Sequence, residues 1–208
     1  MSGLVFVGAF NPPTFAHTQL AQKAMCSVGA EYVTFVPSKQ SYIRDDQEKD
    51  HAFSDLDRLL SLQLLAKIRP WMRVSSYEIN SASQPRTYQT LVALRDLKIS
   101  GSLLIGTDKL EELDNKWMYV PEIAKEFGIV CMERSGDNAE SIIQRSKLLC
   151  ELRPFIRIVS TDEQFHHISS TRVRRCLAEI ESQKRQLEEL VEPELYSMIV
   201  HEMLFSGH

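Results

Sequence analysis

The chain has 208 residues, of which 43% are hydrophobic and 25% are charged, and this composition is typical of ordinary soluble globular proteins. The formal net charge is −4 and the pI is about 5.9, which excludes a global basic field that would hold nucleic acid nonspecifically. The length suits a single domain over residues 1–208, with a helical C-terminal portion over about 169–208.

Cysteine usage and the N-terminal sequence predict a cytoplasmic protein. The four cysteines are widely spaced and form no CxxC pair: Cys26, Cys131, Cys150 and Cys176. We therefore expect reduced thiols in a reducing compartment. The apolar run Leu4–Phe10 is too short for a signal peptide, and no stretch reaches the length of a membrane span. We expect neither a membrane nor a nucleic-acid partner.

The first part of the chain alternates short strands with helices. Leu4–Val7 is predicted to be a buried strand, because it is a short β-branched and aromatic run between glycines. A helix is predicted over about Thr14–Val28, where apolar residues recur every four positions, and Gly29 ends it. Tyr32–Val36 is predicted to be the second strand, and the polar, charged residues 38–52 are predicted to form a loop.

The middle of the chain continues this alternation. Ser54 can cap a helix that Pro70 closes. Its apolar face is predicted to comprise Leu56, Leu59, Leu60, Leu64 and Ile68. Met72–Val74 is predicted to be a weak strand, residues 77–86 a polar loop and Thr87–Leu97 a helix. The inward leucines of that helix are predicted to be Leu91, Leu94 and Leu97.

The second half adds three strands and further helices. The predicted strands are Ser102–Ile105, Ile129–Met132 and Phe155–Val159. The predicted helices are a segment from about Lys109 that continues or restarts at Val120–Phe127, then Ala139–Leu152, Ser169–Ile180 and Pro193–Leu204. This alternation predicts an α/β fold, a doubly wound Rossmann-like parallel sheet with helices on both faces. In such sheets the ligand lies beyond the carboxyl ends of the strands, where the strand order reverses.

The loop after the first strand is a candidate phosphate site with the sequence Gly8-Ala9-Phe10-Asn11-Pro12-Pro13-Thr14-Phe15-Ala16-His17. It contains neither GxGxxG nor the Gly-Lys-Ser/Thr of a P-loop, which disfavours a dehydrogenase and a phosphate-loop kinase. Gly8 stands at a strand end, where backbone can approach a phosphate closely. His17 falls in the first turn of a helix, where N–H groups and the helix dipole favour an anion. The alternative, which a lone histidine would favour, is a capping or partly buried side chain.

A second candidate phosphate segment is Ile168-Ser169-Ser170-Thr171-Arg172-Val173-Arg174. Its three hydroxyl residues at a helix start offer both N-caps and side-chain donors. Arg174 lies about one turn into the helix, on the side of Ser170 and Thr171, so these side chains can meet one phosphate group. The alternative is an ordinary capped helix with an exposed arginine. A second anion-binding loop in the same chain favours the phosphate interpretation.

Together the two segments resemble the signatures of the nicotinate/nicotinamide mononucleotide adenylyltransferase family, within the nucleotidyltransferase superfamily. The first family signature is Gly-x-Phe-(Asp/Asn)-Pro followed by (His/Thr)-x-Gly-His, and residues 8–17 match it with Ala16 in place of the second glycine. Thr14 stands where bacterial nicotinate enzymes have histidine. The second signature, Ile-Ser-Ser-Thr-x-x-Arg, is matched in full by residues 168–174.

Further segments extend the resemblance over nearly the whole chain. Gly106-Thr107-Asp108 with Trp117 downstream is similar to the family's Gly-x-Asp segment and its tryptophan. The Thr-x-(Asp/Glu)-Thr-Leu segment is matched by residues 87–91, although Gln89 stands where the family has an acid. Residues 196–205 resemble the closing helix of the family.

The resemblance implies an enzyme that transfers AMP from ATP to nicotinate or nicotinamide mononucleotide in NAD biosynthesis and releases pyrophosphate. The catalytic residues that it implies are Thr14, His17 and Arg174. The residues that it assigns to ATP are Gly8, Ala9, Phe10, Asn11, Gly106, Asp108, Ile168, Ser169, Ser170 and Thr171. Those that it assigns to the mononucleotide are Thr87, Thr90, Trp117, Lys39 and Arg44. Mg²⁺ is expected as a cofactor that arrives with ATP, and no metal-binding residue of the protein is predicted.

Two groups of residues stay open. Lys39, Arg44 and Lys49 lie in the charged loop, where the family often has a basic residue that meets phosphate, and each is equally compatible with a solvated position. His166 and His167 are adjacent, so their side chains point apart in extended chain, and one metal ion is not expected to bind both.

Other functions are compatible with the same motifs. One is another nucleotidyltransferase, such as a pantetheine-phosphate adenylyltransferase or a cytidylyltransferase. A second, of a different class, is a nucleotide-binding regulator without turnover. The tryptophan segment and the Thr-x-x-Thr-Leu segment favour the pyridine enzyme. The sequence leaves open the choice between a nicotinate and a nicotinamide acceptor, and whether the protein forms a homo-oligomer.

Overall fold

A computed structural model describes residues 3–45, 53–133, 136–160 and 168–205 of the chain. Six strands lie in these ranges: β1 (Gly3–Gly8), β2 (Tyr32–Pro37), β3 (Met72–Val74), β4 (Gly101–Gly106), β5 (Ile129–Glu133) and β6 (Ile156–Ser160). The structure therefore confirms all six predicted strands. No strand end differs from its predicted position by more than one residue.

The strands form one sheet in the order β3-β2-β1-β4-β5-β6. The pairs β1–β4, β4–β5 and β5–β6 are parallel, with Leu4 opposite Ser102 and Leu103 opposite Ile129. The chain thus builds the sheet in one direction from β1 to β3 and then in the other from β4 to β6. This is the order of the doubly wound Rossmann fold, and its reversal lies between β1 and β4.

Twelve helices are assigned within the described residues. In chain order they are α1 (Phe15–Val28), α2 (Gln40–Asp45), α3 (Asp55–Lys67), α4 (Tyr77–Asn80), α5 (Thr87–Asp96), α6 (Thr107–Lys116), α7 (Val120–Phe127), α8 (Ala139–Gln144), α9 (Lys147–Leu152), α10 (Ser170–Ala178), α11 (Ile180–Leu190) and α12 (Pro193–Phe205). The predicted caps are confirmed at two helices. Gly29 ends α1 with φ +69°, and the side chain of Ser54 accepts the N–H of Asp57 at the start of α3.

Two predicted loops contain short helices. Residues 38–52 and 77–86 were both predicted as loops, and the structure places α2 and α4 inside them. Buried side chains explain both helices, because Ile43 and Glu78 are each 0% exposed. The single helix predicted over Ala139–Leu152 is two helices, since Ser146 caps a new start with its hydroxyl on the N–H of Leu149.

The buried face of α3 differs from the predicted one. Leu56, Leu60 and Ile68 were expected to face the core and are 61%, 44% and 50% exposed. The buried residues are instead Arg58, Ser61, Leu62 and Leu65. Their spacing is also helical, but two of the four are polar, so apolar periodicity alone selected the wrong face. Leu97, predicted inward, is likewise 63% exposed at the end of α5.

The chain divides into two compact units. The first comprises Met1–Val7, Leu20–Thr34 and Pro85–Gln164, and the second comprises Gly8–Gln19, Phe35–Gln84 and Phe165–His208. In the first unit, the central strands bury Leu103, Leu104 and Cys131 almost completely. In the second unit, Phe10, Phe35 and Leu62 are buried to the same degree.

The four cysteines are free thiols, as predicted. Cys131 is fully buried in β5, and burial raises the pKa of its thiol to about 12. Of the helices in the described ranges, not one combines the length and the apolar character needed to cross a membrane.

Candidate active site

Thr14 and His17 cap the start of α1 reciprocally. The N–H of His17 donates to the carbonyl oxygen of Thr14 at 3.0 Å, and the N–H of Thr14 donates back to Nδ1 of His17 at 3.0 Å. The hydroxyl Oγ1 of Thr14 lies 2.7 Å from the same nitrogen. The backward bond is that of a capping box, with histidine in the place of glutamate or glutamine. An amide nitrogen can only donate, so Nδ1 accepts, and the proton of the neutral ring lies on Nε2.

Packing fixes the plane of the His17 ring. The buried ring of Phe10 meets it edge to face, with 5.2 Å between the ring centroids. Phe10 also contacts Phe35, with a centroid distance of 5.4 Å. A Cβ atom at Gly8 would lie 3.2 Å from the tip of the Phe10 ring, so any other residue at the end of β1 would push this ring by a few tenths of an ångström. Gly8 thus serves the orientation of His17 through Phe10.

The hydroxyl residues at the start of α10 have separate roles. Ser169 is the N-cap, and its hydroxyl accepts the N–H of Arg172 at 3.2 Å. The hydroxyl of Ser170 donates to the carbonyl oxygen of Pro12 at 2.8 Å. Thr171 is exposed. Ser169 therefore caps the helix and its assignment to ATP stays a prediction, whereas Ser170 connects the helix to the first loop.

Arg174 makes a second connection between α10 and the first loop. Its Nη1 donates to the carbonyl oxygen of Asn11 at 2.8 Å, and its Nη2 donates to Oγ1 of Thr171 at 3.2 Å. The side chain of Asn11 is itself engaged, since its Oδ1 accepts the N–H of Phe53 at 2.8 Å. Ile168, just before the helix, is buried. The two predicted phosphate segments therefore lie in direct contact, within the second unit.

In the first unit, the segment after β4 places a carboxylate at the start of α6. Gly106 is the N-cap, and Asp108 lies exposed in the first turn. A Cβ atom at Gly106 would lie 2.6 Å from Oδ1 of Asp108, so any side chain there would displace this carboxylate. Thr107, buried between them, donates its hydroxyl to the carboxylate of Asp137. Asp108 therefore lies just beyond a strand end, where a carboxylate can accept from ribose hydroxyls.

Three of the residues predicted to bind the mononucleotide, Thr87, Thr90 and Trp117, lie on two joined parts of the first unit. Thr87 begins α5 and Thr90 is fully buried in it, while Trp117 is partly exposed at the end of α6. Tyr88 of α5 stacks on Tyr119, two residues beyond the tryptophan, with ring centroids 5.4 Å apart. This stack joins the two segments.

The same helix shows the role of Gln89, which stands where the family has an acid. Gln89 accepts the N–H of Arg86 at 2.9 Å with its Oε1, which is the glutamine form of a capping box. Nearby, the hydroxyl of Tyr88 donates to Glu126 at 2.8 Å, and this hydrogen bond raises the pKa of Tyr88.

The basic residues of the charged segment have different surroundings. The ammonium of Lys39 donates to the carbonyl oxygens of Ile79 and Ser81 at 2.6 and 2.7 Å. Arg44 is exposed in the last turn of α2. Both assignments to the mononucleotide stay predictions. Three further residues named from the sequence lie outside the described residues: Lys49, His166 and His167.

A comparison with known proteins assigns the chain to a family. A sequence profile described as cytidylyltransferase-like matches residues 5–176. The chain belongs to the cytidylyltransferase-like family. A protein of Oryza sativa subsp. japonica named nicotinamide/nicotinic acid mononucleotide adenylyltransferase is 30% identical over 189 residues, which cover 84% of this chain and 75% of that protein. A probable nicotinate-nucleotide adenylyltransferase of Clostridium acetobutylicum is 28% identical over 203 residues, covering 97% of each.

The fold of this cytidylyltransferase-like chain also occurs in solved structures. The Plasmodium falciparum nicotinic acid mononucleotide adenylyltransferase complexed with NaAD superposes with a TM-score of 0.73, covering 100% of this chain and 97% of that one at 16% sequence identity. At this identity the similarity supports the fold alone. The doubly wound fold predicted from the sequence is confirmed.

One site residue of this cytidylyltransferase-like chain was missed by sequence reasoning. Arg58 is 0% exposed in the first turn of α3 and donates to carbonyl oxygens of Ala9, Ser38 and Phe53. Burial lowers its pKa, against the raising influence of Asp55. The signal available in the sequence was a charged residue at helical spacing from Leu62 and Leu65.

Proposed function

We propose that the chain is a pyridine mononucleotide adenylyltransferase. It transfers AMP from ATP to nicotinate or nicotinamide mononucleotide and releases pyrophosphate, as the names of its relatives indicate for those proteins. The observation that carries the proposal is the junction of the first loop with α10. There His17, Ser170 and Arg174, three residues of the phosphate signatures, are connected to one loop by hydrogen bonds.

The reaction needs positioning and charge neutralisation more than acid–base chemistry. A phosphate oxygen of the mononucleotide attacks the α-phosphorus of ATP, the new P–O bond forms, and the bond between the α-phosphorus and the bridging oxygen breaks. Pyrophosphate leaves with the electron pair. The attacking phosphate is already ionised near neutral pH, so no general base is required.

The geometry suits this task. His17 has Nδ1 occupied by Thr14, so the neutral ring offers an Nε2–H donor to a phosphate oxygen of ATP. Arg174 and the N-terminus of α10 add positive charge beside the same loop. For the first unit, the resemblance to the family assigns the ribose hydroxyls to Asp108 and the pyridine ring to Trp117. A cationic pyridine on an indole face is stabilised by about 0.5–2 kcal/mol.

Mg²⁺ enters this scheme with the nucleotide. Among the described residues, no three His, Cys, Asp or Glu side chains come together as a metal site. In nucleotide sites Mg²⁺ is often held by phosphate oxygens and water, and we expect the same here. When bound, Mg²⁺ would offset the charge of the triphosphate.

The test is product formation with a panel of acceptors. The purified protein is incubated with ATP and Mg²⁺ plus nicotinate mononucleotide, nicotinamide mononucleotide or 4′-phosphopantetheine, and the dinucleotide and pyrophosphate are quantified. We expect a dinucleotide with one or both pyridine acceptors and its loss when a chelator removes Mg²⁺. A parallel incubation with CTP in place of ATP tests whether the reaction requires the adenine nucleotide. Turnover with phosphopantetheine alone, or nucleotide binding without pyrophosphate release, would contradict the proposal.

A further inference from the structure

Arg58 is an arginine with no exposed surface, in the first turn of α3. Arginine is almost never fully buried unless its charge is paired, because the removal of an unpaired guanidinium from water is strongly unfavourable. Asp55, one turn earlier, accepts from Nη2 of Arg58 at 2.5 Å and supplies the compensating charge. A helix that only had to cover the core would have an apolar residue here, as it does at Leu62 and Leu65.

The remaining donors of Arg58 hold three separate backbone segments. Nη1 donates to the carbonyl oxygen of Ala9 at 2.7 Å, Nη2 donates to that of Ser38 at 2.5 Å, and Nε donates to that of Phe53 at 3.2 Å. Ala9 follows β1, Ser38 follows β2, and Phe53 precedes α3. One rigid, planar group thus fixes the loops after two strands at their carboxyl ends. All of these residues belong to the second unit.

The hydrogen bond to Ala9 sets the direction of the next amide. In a trans peptide the N–H points opposite to the carbonyl of the preceding residue. With the carbonyl oxygen of Ala9 turned to Arg58, the N–H of Phe10 faces away from the arginine. Phe10 has φ +45°, in the left-handed region that non-glycine residues rarely adopt, so this turn needs support from its surroundings. Arg58 provides that support from beneath the loop.

The other side of the loop is held by α10. Arg174 donates to the carbonyl oxygen of Asn11, and Ser170 donates to that of Pro12. Asn11 returns to the Arg58 cluster through its bond to the N–H of Phe53. The loop is therefore fixed by one buried and one partly exposed arginine.

We propose that Arg58 is a positioning residue for phosphate binding: by holding the Ala9 and Ser38 carbonyl oxygens, it directs the backbone amide of Phe10 toward the phosphates of ATP and pyrophosphate. This inference rests on the proposed function for the identity of the ligand. Arg58 itself has no exposed surface and touches no substrate. Substitution of Arg58 should therefore weaken the binding of ligands that carry phosphates and leave the binding of the nucleoside nearly unchanged.

The test compares two substitutions at Arg58 with one at the exposed Arg73 of β3. Arg58→Lys keeps a charge for Asp55 but lacks the fork that reaches both carbonyl oxygens. Arg58→Met keeps the side-chain stem and removes the charge. Arg73→Met is the matched control in the same unit. Calorimetry measures the Kd of Mg-pyrophosphate and of adenosine for each folded variant, and dinucleotide formation gives kcat.

For Arg58→Lys we expect the Kd of pyrophosphate to rise about ten-fold and kcat to fall by ten-fold to a hundred-fold, the order of loss that a small misplacement causes. The Kd of adenosine should change less than two-fold, and Arg73→Met should resemble the parent protein. If Arg58→Met does not fold, Arg58→Lys alone decides. Unchanged pyrophosphate affinity in Arg58→Lys, or equal losses for adenosine and pyrophosphate, would overturn the inference. Failure of the parent protein to form dinucleotide would instead contradict the proposed function, and the pyrophosphate titration would still test Arg58.

Discussion

His17 caps α1 with one ring nitrogen and has a proposed donor role at the other, and one pair of substitutions separates the two. Nδ1 accepts the N–H of Thr14 and so caps α1, while Nε2 is the proposed donor to ATP. His17→Ala removes both functions. His17→Gln keeps an acceptor for the Thr14 amide, because glutamine is a regular third residue of a capping box, but it removes the imidazole.

The two losses have different sizes. Loss of a helix cap costs about 1 kcal/mol, which in a chain of this length lowers Tm by roughly 2–4 °C. Loss of one donor to a developing phosphate charge lowers kcat by roughly 10²–10³-fold. We therefore expect His17→Ala to lose stability and turnover. His17→Gln should lose turnover to the same extent while its Tm stays close to that of the parent protein.

Scanning calorimetry gives Tm, and dinucleotide formation at saturating substrates gives kcat. Near-parental turnover in His17→Gln would refute the donor role and leave His17 as a cap. A fall of Tm in His17→Gln as large as in His17→Ala would refute the capping role and assign His17 to packing against Phe10.

Four further predictions test the site and the fold. Arg174→Ala should weaken ATP and pyrophosphate binding together, and Arg174→Gln should not restore it, because a charge-assisted contact is stronger than a neutral one; unchanged pyrophosphate affinity would show that Arg174 neither contacts the phosphates nor holds the loop in the form that binds them. Trp117→Ala should raise KM for the pyridine mononucleotide several-fold and leave KM for ATP nearly unchanged, with partial recovery in Trp117→Phe; equal effects on both substrates with a lower Tm would make Trp117 structural. Leu62→Ala should cost about 2–5 kcal/mol in denaturant unfolding, whereas Leu60→Gln should change stability by no more than about 0.5 kcal/mol, and the reverse order would restore the apolar face predicted from the sequence. Cys131, whose raised pKa is about 12, should resist alkylation at pH 8 while the two exposed cysteines react. Equal labelling of all four thiols in the native protein would contradict this resistance. Since folding favours the protonated form of Cys131, the stability that this thiol contributes should be present below its unfolded pKa near 9 and lost as the pH rises toward 12.

The strands were predictable because each is a short apolar run between residues that stop it. Glycine or proline bounds β1, β2 and β4, and backbone chemistry fixes such boundaries without knowledge of the fold. The register and the order of the strands were not predictable to the same degree, because they depend on which faces pack against the helices. The helices α2, α4 and α11 were missed for a related reason. They are short or polar, and tertiary contacts rather than sequence periodicity stabilise them.

The face of α3 shows where periodicity fails. The exposed leucines Leu56 and Leu60 and the buried Arg58 and Ser61 invert the usual rule. Asp55 balances the charge of the buried Arg58, and the carbonyl oxygens of Ala9, Ser38 and Phe53 accept its other hydrogen bonds. No sequence pattern records the two of these partners that are distant in the chain, Ala9 and Ser38. The site shows the same division. The motif positions were predicted from the sequence, whereas the roles of Ser169 as a cap and Ser170 as a connection to Pro12 needed coordinates.

The backbone of the first loop carries both N–H groups, which would attract a phosphate, and carbonyl oxygens, which would repel it. A loop that binds phosphate must present N–H groups and turn its carbonyl oxygens away, because those oxygens repel an anion. Two prolines remove two N–H groups from this loop, so each remaining amide matters more. In the structure, three of the carbonyl groups at residues 9–12 accept a hydrogen bond from another element: Ala9 from Arg58, Asn11 from Arg174 and Pro12 from Ser170. Two of these donors are cations, so they neutralise the carbonyl dipoles and add positive potential to the phosphate site at once. Precision in this loop therefore comes from α3 and α10, and substitutions in those helices should affect phosphate binding even where the side chain touches no ligand.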